Sequence, residues 1–223
     1  MTDNKHIIIY SHGSGVRYDD RGLLTSIADA LPGIESILFD YYKIDEDAKT
    51  LTLCPFSEQV KKLHEVINDA RLKNPEAVID LIGHSQGTTI IALAKPKGIR
   101  KIILLAPVFN TSVESFIERY KSKPLAVINL KGISYLPPVD GLSRIIPSTC
   151  WPERNAFNSL KEYNSLSKLS EIIMIEAKQD NILKKADLSG LSSEIKVVSL
   201  DGDHNFNAEA REPLIKEIIK III

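Results

Sequence analysis

The sequence predicts a parallel α/β fold, and three observations carry that prediction. Six short apolar runs recur along the chain, amphipathic stretches separate them, and 223 residues provide one substantial core but not two enzyme-sized ones. Runs that are apolar on consecutive residues mark strands covered on both faces. Strands alternating with helices then imply parallel crossovers. Hydrophobic residues at 43% and charged residues at 26% are ordinary globular usage, which excludes a disordered or fibrous chain. The expected unit is one domain over residues 1–223.

The first strand is expected at Ile7–Tyr10. The helix after it reads RGLLTSIADAL, with Leu23, Leu24, Ile27 and Leu31 on one face and Pro32-Gly33 ending it. A second strand follows at Ile34–Phe39. The acidic segment DYYKIDEDAK then reads as a solvated loop near the rim of any cleft. From about Ser57 to Lys73 the apolar stripe of Val60, Leu63, Ile67 and Ala70 predicts a longer helix, stopped by Asn74-Pro75. Strands are expected again at Ala77–Ile82 and Lys101–Ala106, with a helix after Ser85 between them. The alternation breaks from Pro107 to about Ser170. That length is too great for a bare loop in a compact domain and predicts an insertion with its own structure. SVESFIERY and NAFNSLKEY look helical within it, and the Pro-rich stretch between them suits a hairpin. The last strands fall at Ile172–Glu176 and Ile195–Leu200, and Ala210, Leu214, Ile218 and Ile222 recur at helical spacing near the end.

Charge and cysteine content exclude several functions. Lys+Arg 28 against Asp+Glu 29 gives a net charge of -1, which provides no field for a polyanion, so nucleic acid is not an expected partner. Cys54 and Cys150 form no metal-binding spacing and read as reduced thiols. No apolar run reaches the roughly 18 residues of a membrane span, and the opening residues lack the apolar stretch of a signal peptide. A cytoplasmic location is the resulting expectation. No metal site and no cofactor motif is expected: the glycines form neither GxGxxG nor the Gly-Lys-Ser/Thr phosphate cradle.

The informative segment is AVIDLIGHSQGTTIIALA. An apolar strand runs into Gly83-His84-Ser85-Gln86-Gly87 and then into a helix, which places a GxSxG pattern at the strand-turn-helix corner its chemistry requires. The glycines let backbones pass closely while the serine projects from the sheet edge in a strained conformation. The helix beginning at Gln86 supplies a positive dipole end and a free N–H beside that serine.

In these residues the sequence resembles the α/β-hydrolase family, particularly its small esterases, over nearly the whole chain apart from the insertion. The resemblance implies a reduced, mainly parallel six-stranded sheet in the spatial order 2-1-3-4-5-6, helices on both faces, and residues 107–170 as a small cap above Ser85. It also implies a triad in the chain order nucleophile, acid, histidine. Ser85 is then the nucleophile. Asp180, just beyond the fifth strand, is the acid, and His204, the only histidine after Ser85, is the base. Asp201 and Asp203 stand too near His204 in sequence to reach its far ring nitrogen easily. Around Asp180 the glycine and proline common in the family are replaced by Ala177-Lys178-Gln179 and Asn181-Ile182-Leu183. Ser11-His12-Gly13-Ser14-Gly15 resembles the family's oxyanion loop. Matching by residue, the N–H groups of Ser14 and Gln86 form the oxyanion hole, Gly13 allows the turn, and His12 braces the loop. His84, His6 and His64 are expected to have no part in the chemistry. The implied activity is cofactor-free hydrolysis of small to medium carboxylic esters through an acyl-enzyme. A peptidase or amidase on the same triad, or a noncatalytic binding protein of the same fold, is the alternative.

Overall fold

A computed structural model describes residues 5–183, 185 and 187–223. In chain order the strands are β1 (His6–Ser11), β2 (Glu35–Leu38), β3 (Lys43–Asp45), β4 (Thr50–Thr52), β5 (Val78–His84), β6 (Lys101–Leu105), β7 (Ile133–Val139), β8 (Leu142–Pro147), β9 (Glu171–Ala177) and β10 (Ile195–Leu200). The helices are α1 (Leu23–Asp29), α2 (Phe56–Lys73), α3 (Gln86–Ala94), α4 (Val113–Tyr120), α5 (Ser159–Leu166) and α6 (Arg211–Ile222).

Six strands form the main sheet in the order β2-β1-β5-β6-β9-β10, every neighbouring pair parallel. This is the winding that the resemblance implies. Chain direction reverses across the sheet between β1 and β5, and the crevice at the strands' carboxyl ends there is the natural binding position of such a sheet. Alternate residues of β1 divide the core between its faces. Ile7 and Ile9 join Leu63 and Ile67 of α2, Ile90 and Ile91 of α3, and Tyr163 of α5. Ile8 and Tyr10 join Leu23, Leu24 and Ile27 of α1 and Leu214, Ile218 and Ile222 of α6. The stripes read from the sequence are therefore the surfaces that cover the sheet.

Two elements depart from the sequence reading. The acidic segment after β2 is not a solvated loop: Tyr41 and Tyr42 are buried, and β3 and β4 pair antiparallel from Lys43↔Thr52 to Asp45↔Thr50. The alternation of exposed Lys43, half-buried Ile44 and exposed Asp45 is a period-two pattern too short to stand out among so many charges. Second, β4 joins strands of the 107–170 insertion. It runs parallel to β8, which pairs antiparallel with β7, giving a four-stranded sheet in the order β3-β4-β8-β7. The second sheet thus draws on residues 43–52 as well as on the 107–170 segment. Asp140 and Gly141 turn the β7–β8 hairpin with φ of 51° and 77°, the two positive values that a tight hairpin of natural twist needs. Pro137 and Pro138 sit at the register shift between Leu136 and Val139, where the ladder is broken and a missing N–H costs little. No helix among the described residues is long and apolar enough to cross a membrane.

Candidate active site

The site is built at the carboxyl ends of β1, β5, β9 and β10. Ser85 lies between β5 and α3 with φ 52° and ψ -122°, a strained backbone for a residue with a side chain. The glycines on either side explain how that corner is held. A Cβ on Gly87 would lie 2.0 Å from the Ser11 carbonyl oxygen of β1, and one on Gly83 would meet the Gly87 carbonyl carbon at 3.1 Å. Strand, elbow and helix interlock only without those side chains.

The structure brings Ser85, His204 and Asp180 together. His204 Nε2 lies 2.9 Å from Ser85 Oγ, and its Nδ1 lies 2.7 Å from Asp180 Oδ2. The carboxylate accepts from Nδ1–H, leaving Nε2 as acceptor for the serine hydroxyl. Burial depresses the pKa of His204 below the ordinary 6.5, partly offset by its hydrogen bond to Asp180. For Asp180, burial pushes upward, but the His204 hydrogen bond and charge and the N–H groups of Leu183 and Ile182 outweigh it, so the carboxyl lies below its usual range. Those two N–H groups bond Asp180 Oδ1 at 2.7 and 2.8 Å and fix the loop in place of the family's glycine and proline. Asp201 bonds Lys178 and Gln179 instead, and Asp203 bonds Asn207.

The loop Ser11–Gly15 stands against the serine, with the position of a Cβ on Gly13 only 3.4 Å from the Ser85 Cβ. The Gly13 N–H donates to Asp20 Oδ2 at 2.7 Å and is occupied. The next N–H, that of Ser14, has no acceptor among the described residues. The Gln86 N–H, at the first position of α3, lies outside the helical ladder. His12 is buried, donates through Nδ1 to the Gly13 carbonyl and accepts the Tyr41 N–H at Nε2. Burial lowers its pKa, more than the nearby Asp20 raises it. The Gln86 side chain is buried, donating to Tyr42 Oη at 2.9 Å and Gln59 Oε1 at 3.0 Å.

Two buried residues of the site were not identified from the sequence. Asp20 accepts from Gly13 N and lies 2.7 Å from His84 Nδ1, while His84 Nε2 donates to the His204 carbonyl at 2.9 Å. His84, expected to have no part in the chemistry, thus joins through Asp20 the loop of Gly13 to the loop of His204. Burial would raise the Asp20 carboxyl, but the charge and hydrogen bond of His84, with His12 and the Gly13 N–H, bring it down to about 2. The GHS motif displays His84, yet nothing near Asp20 in sequence announces its part. His6 also has partners, Asp80 at 2.8 Å and Arg100 at 3.2 Å, at the opposite end of the sheet. No group of three or more His, Cys, Asp or Glu suited to a metal occurs among the described residues.

Comparison with known proteins agrees with the architecture. No family model matches the chain. The monoglyceride lipase of Rattus norvegicus is 26% identical over 150 residues, which are 63% of this chain; the chain spans 46% of that relative's length. Among solved structures, Est1E from Butyrivibrio proteoclasticus with ferulic acid bound superposes with a TM-score of 0.73 at 15% identity, covering 99% of this chain and 90% of that one. A pyrethroid hydrolase from Sphingobium faniae JZ-2 gives 0.65 at 15% identity, covering 97% and 96%. The peroxisomal α/β-hydrolase Lpx1 of Saccharomyces cerevisiae gives 0.67 at 14% identity, covering 98% and 77%. Sheet order, the strained serine corner and these superpositions agree: the chain has the α/β-hydrolase fold.

Proposed function

We propose that the chain is a serine hydrolase that cleaves small to medium carboxylic esters through an acyl-enzyme, with Ser85 as nucleophile, His204 as general base and acid, and Asp180 as the acid that orients it. The observation that carries this reading is the unbroken hydrogen-bond chain from Ser85 Oγ through His204 to Asp180, at 2.9 and 2.7 Å. An esterase domain and lipolytic enzymes are among the structural neighbours, and the sequence relative is a lipase, which favours ester over amide substrates.

In the first half-reaction Ser85 Oγ attacks the ester carbonyl while its proton passes to His204 Nε2. Asp180 holds Nδ1–H and stabilises the ring while it is charged. The N–H groups of Ser14 and Gln86 meet the developing oxyanion as fixed donors that need no reorganisation. Collapse of the tetrahedral intermediate breaks the ester C–O bond, and His204 returns the proton to the departing alcohol. Water then attacks the acyl-enzyme by the same route, releasing the acid and restoring Ser85.

The test is labelling with a fluorophosphonate probe together with a panel of 4-nitrophenyl esters of increasing acyl length. Wild type should be labelled and turn over short and medium esters. Ser85→Ala should take no label and lose at least about 10³-fold in kcat/KM. Unlabelled, folded wild type that hydrolyses no ester would instead support a noncatalytic protein of this fold.

A further inference from the structure

We propose that the open face of the second sheet is a docking surface for an anionic lipid bilayer, engaged through the end that carries Val127, Ile133 and Tyr135. This inference does not depend on the hydrolase reading.

Pairing across the sheet separates its two faces. Leu136 of β7 lies opposite Arg144 of β8, and Arg144 opposite Leu51 of β4; all three are buried. The neighbouring row runs from Tyr135 through Ile145 and Thr52 to Lys43, and none of these is buried. Paired residues project to the same side and successive residues to opposite sides, so one face packs inward and the other is open. Ile133 shares the open face with Tyr135 at a spacing of two. Val127 bridges Tyr135 and adds a third apolar side chain beside it.

Val127, Ile133 and Tyr135 are 56%, 50% and 46% exposed, and Leu125 and Leu130 of the same segment are 75% and 42% exposed. Of the eleven large apolar side chains that stand strongly exposed among the described residues, five therefore fall within residues 125–135. Scattered exposure is ordinary, but concentration in one short segment marks a surface that is covered in use.

Charge identifies what covers it. From Lys121 to Val139 the chain has Lys121, Lys123 and Lys131 and no Asp or Glu. Lys121 pairs with Glu118, whereas Lys123 and Lys131, with Lys43 at the far side of the open row, are exposed and meet no carboxylate among the described residues. The acids of this sheet stand at its other end, Asp45, Glu46 and Asp47 at the β3–β4 turn and Asp140 at the β7–β8 turn, with Lys49 among them. Aliphatic side chains, a tyrosine and lysines together suit the headgroup region of a bilayer. The apolar groups leave water, the lysine stems follow them, and the ammonium groups meet the lipid phosphates. A second copy of the chain is the poorer occupant. The outer edge of β7 is closed at Tyr135 by its two mutual backbone bonds with Val127, each 2.8 Å, and Asn129 N–H donates to Ser134 Oγ, so another strand does not add there. A two-fold contact through this face would also bring lysines together.

The experiment is flotation of the full chain with vesicles of phosphatidylcholine alone and of phosphatidylcholine with phosphatidylglycerol, at low and high salt. Wild type should float with the anionic vesicles at low salt, be released by high salt, and stay largely free of the neutral ones. The double variant Lys123→Gln/Lys131→Gln should bind anionic vesicles at least about tenfold more weakly, since one lysine near such a surface contributes about fivefold. Ile133→Thr/Tyr135→Thr, which keeps strand-forming residues, should weaken binding by about tenfold as well. Thermal unfolding checks that each variant is folded; if the apolar pair does not fold, the lysine pair and the salt series still decide. No binding of wild type to anionic vesicles, equal binding to both kinds, or binding unchanged in both double variants would overturn the proposal. So would a dimer in light scattering that dissociates in Ile133→Thr/Tyr135→Thr, which would give the face to a second copy.

Discussion

His204 has two acidic supports, one at its ring and one through its backbone. Asp180 bonds the ring directly, while Asp20 acts through His84, whose Nε2 holds the His204 carbonyl. Asp20 also takes the Gly13 N–H, so one carboxylate sets both the oxyanion loop and the loop of the base. Asp20→Asn is expected to lower kcat about tenfold or more, the equivalent of one charge-assisted hydrogen bond, in steady-state ester hydrolysis. The pH profile follows from His204. The ring must be neutral to accept the serine proton, and burial places its pKa below 6.5. The rate should therefore be level across pH 7–8 and decline only below the range of an ordinary histidine; an acid limb centred above 6.5 would contradict the proposed base. At this scale the sequence was legible where chemistry is local. Gly83 to Gly87 form one motif, and His204 has no competitor downstream. Asp20 lies 64 positions from His84 and has no local pattern, so only the folded chain reveals the pair.

The strand-to-helix elements show why the serine corner tolerates so little. α3 crosses β1 so closely that the Cα of Gly87 lies against the Ser11 carbonyl, and Ser11 Oγ in turn donates to the Gly87 carbonyl at 3.1 Å. Gly87→Ala should cost more than about 2 kcal/mol in urea unfolding, because the added carbon meets rigid backbone on a core strand. A stability equal to wild type would mean that α3 can move off β1. The long helices and the core strands were readable because many residues repeat a single period. β3 and β4 are only three residues each; β3 pairs with β4, and β4 in turn pairs with β8 some 90 positions away, as in Leu51↔Arg144. A short polar strand of that kind has no signature of its own.

At the scale of the whole molecule, a six-stranded sheet provides the frame, and a second sheet of four strands joins residues 43–52 to the insertion. The frame follows from buried apolar runs and crossover rules that admit few arrangements. The second sheet depends on pairings between distant segments, so the insertion was visible as an interruption of the pattern while its construction was not. Acid stability belongs to this scale, since Asp20 ties together β5, the oxyanion loop and the loop after β10. Its folded pKa of about 2 lies below the ordinary 3.8, so its contribution is present above the ordinary value and is lost as pH falls from about 4 toward 2. Wild type should lose more stability than Asp20→Asn over that interval in denaturant titrations.

The central claim is that Ser85, activated by His204 and Asp180, forms the acyl-enzyme. Intact-mass analysis during turnover of a 4-nitrophenyl ester, followed by peptide mapping, tests it directly. The account predicts an acyl adduct on Ser85 that forms in wild type, accumulates more slowly in His204→Ala and is absent from Ser85→Ala. An adduct on another residue, or undiminished ester turnover in folded Ser85→Ala, would contradict it.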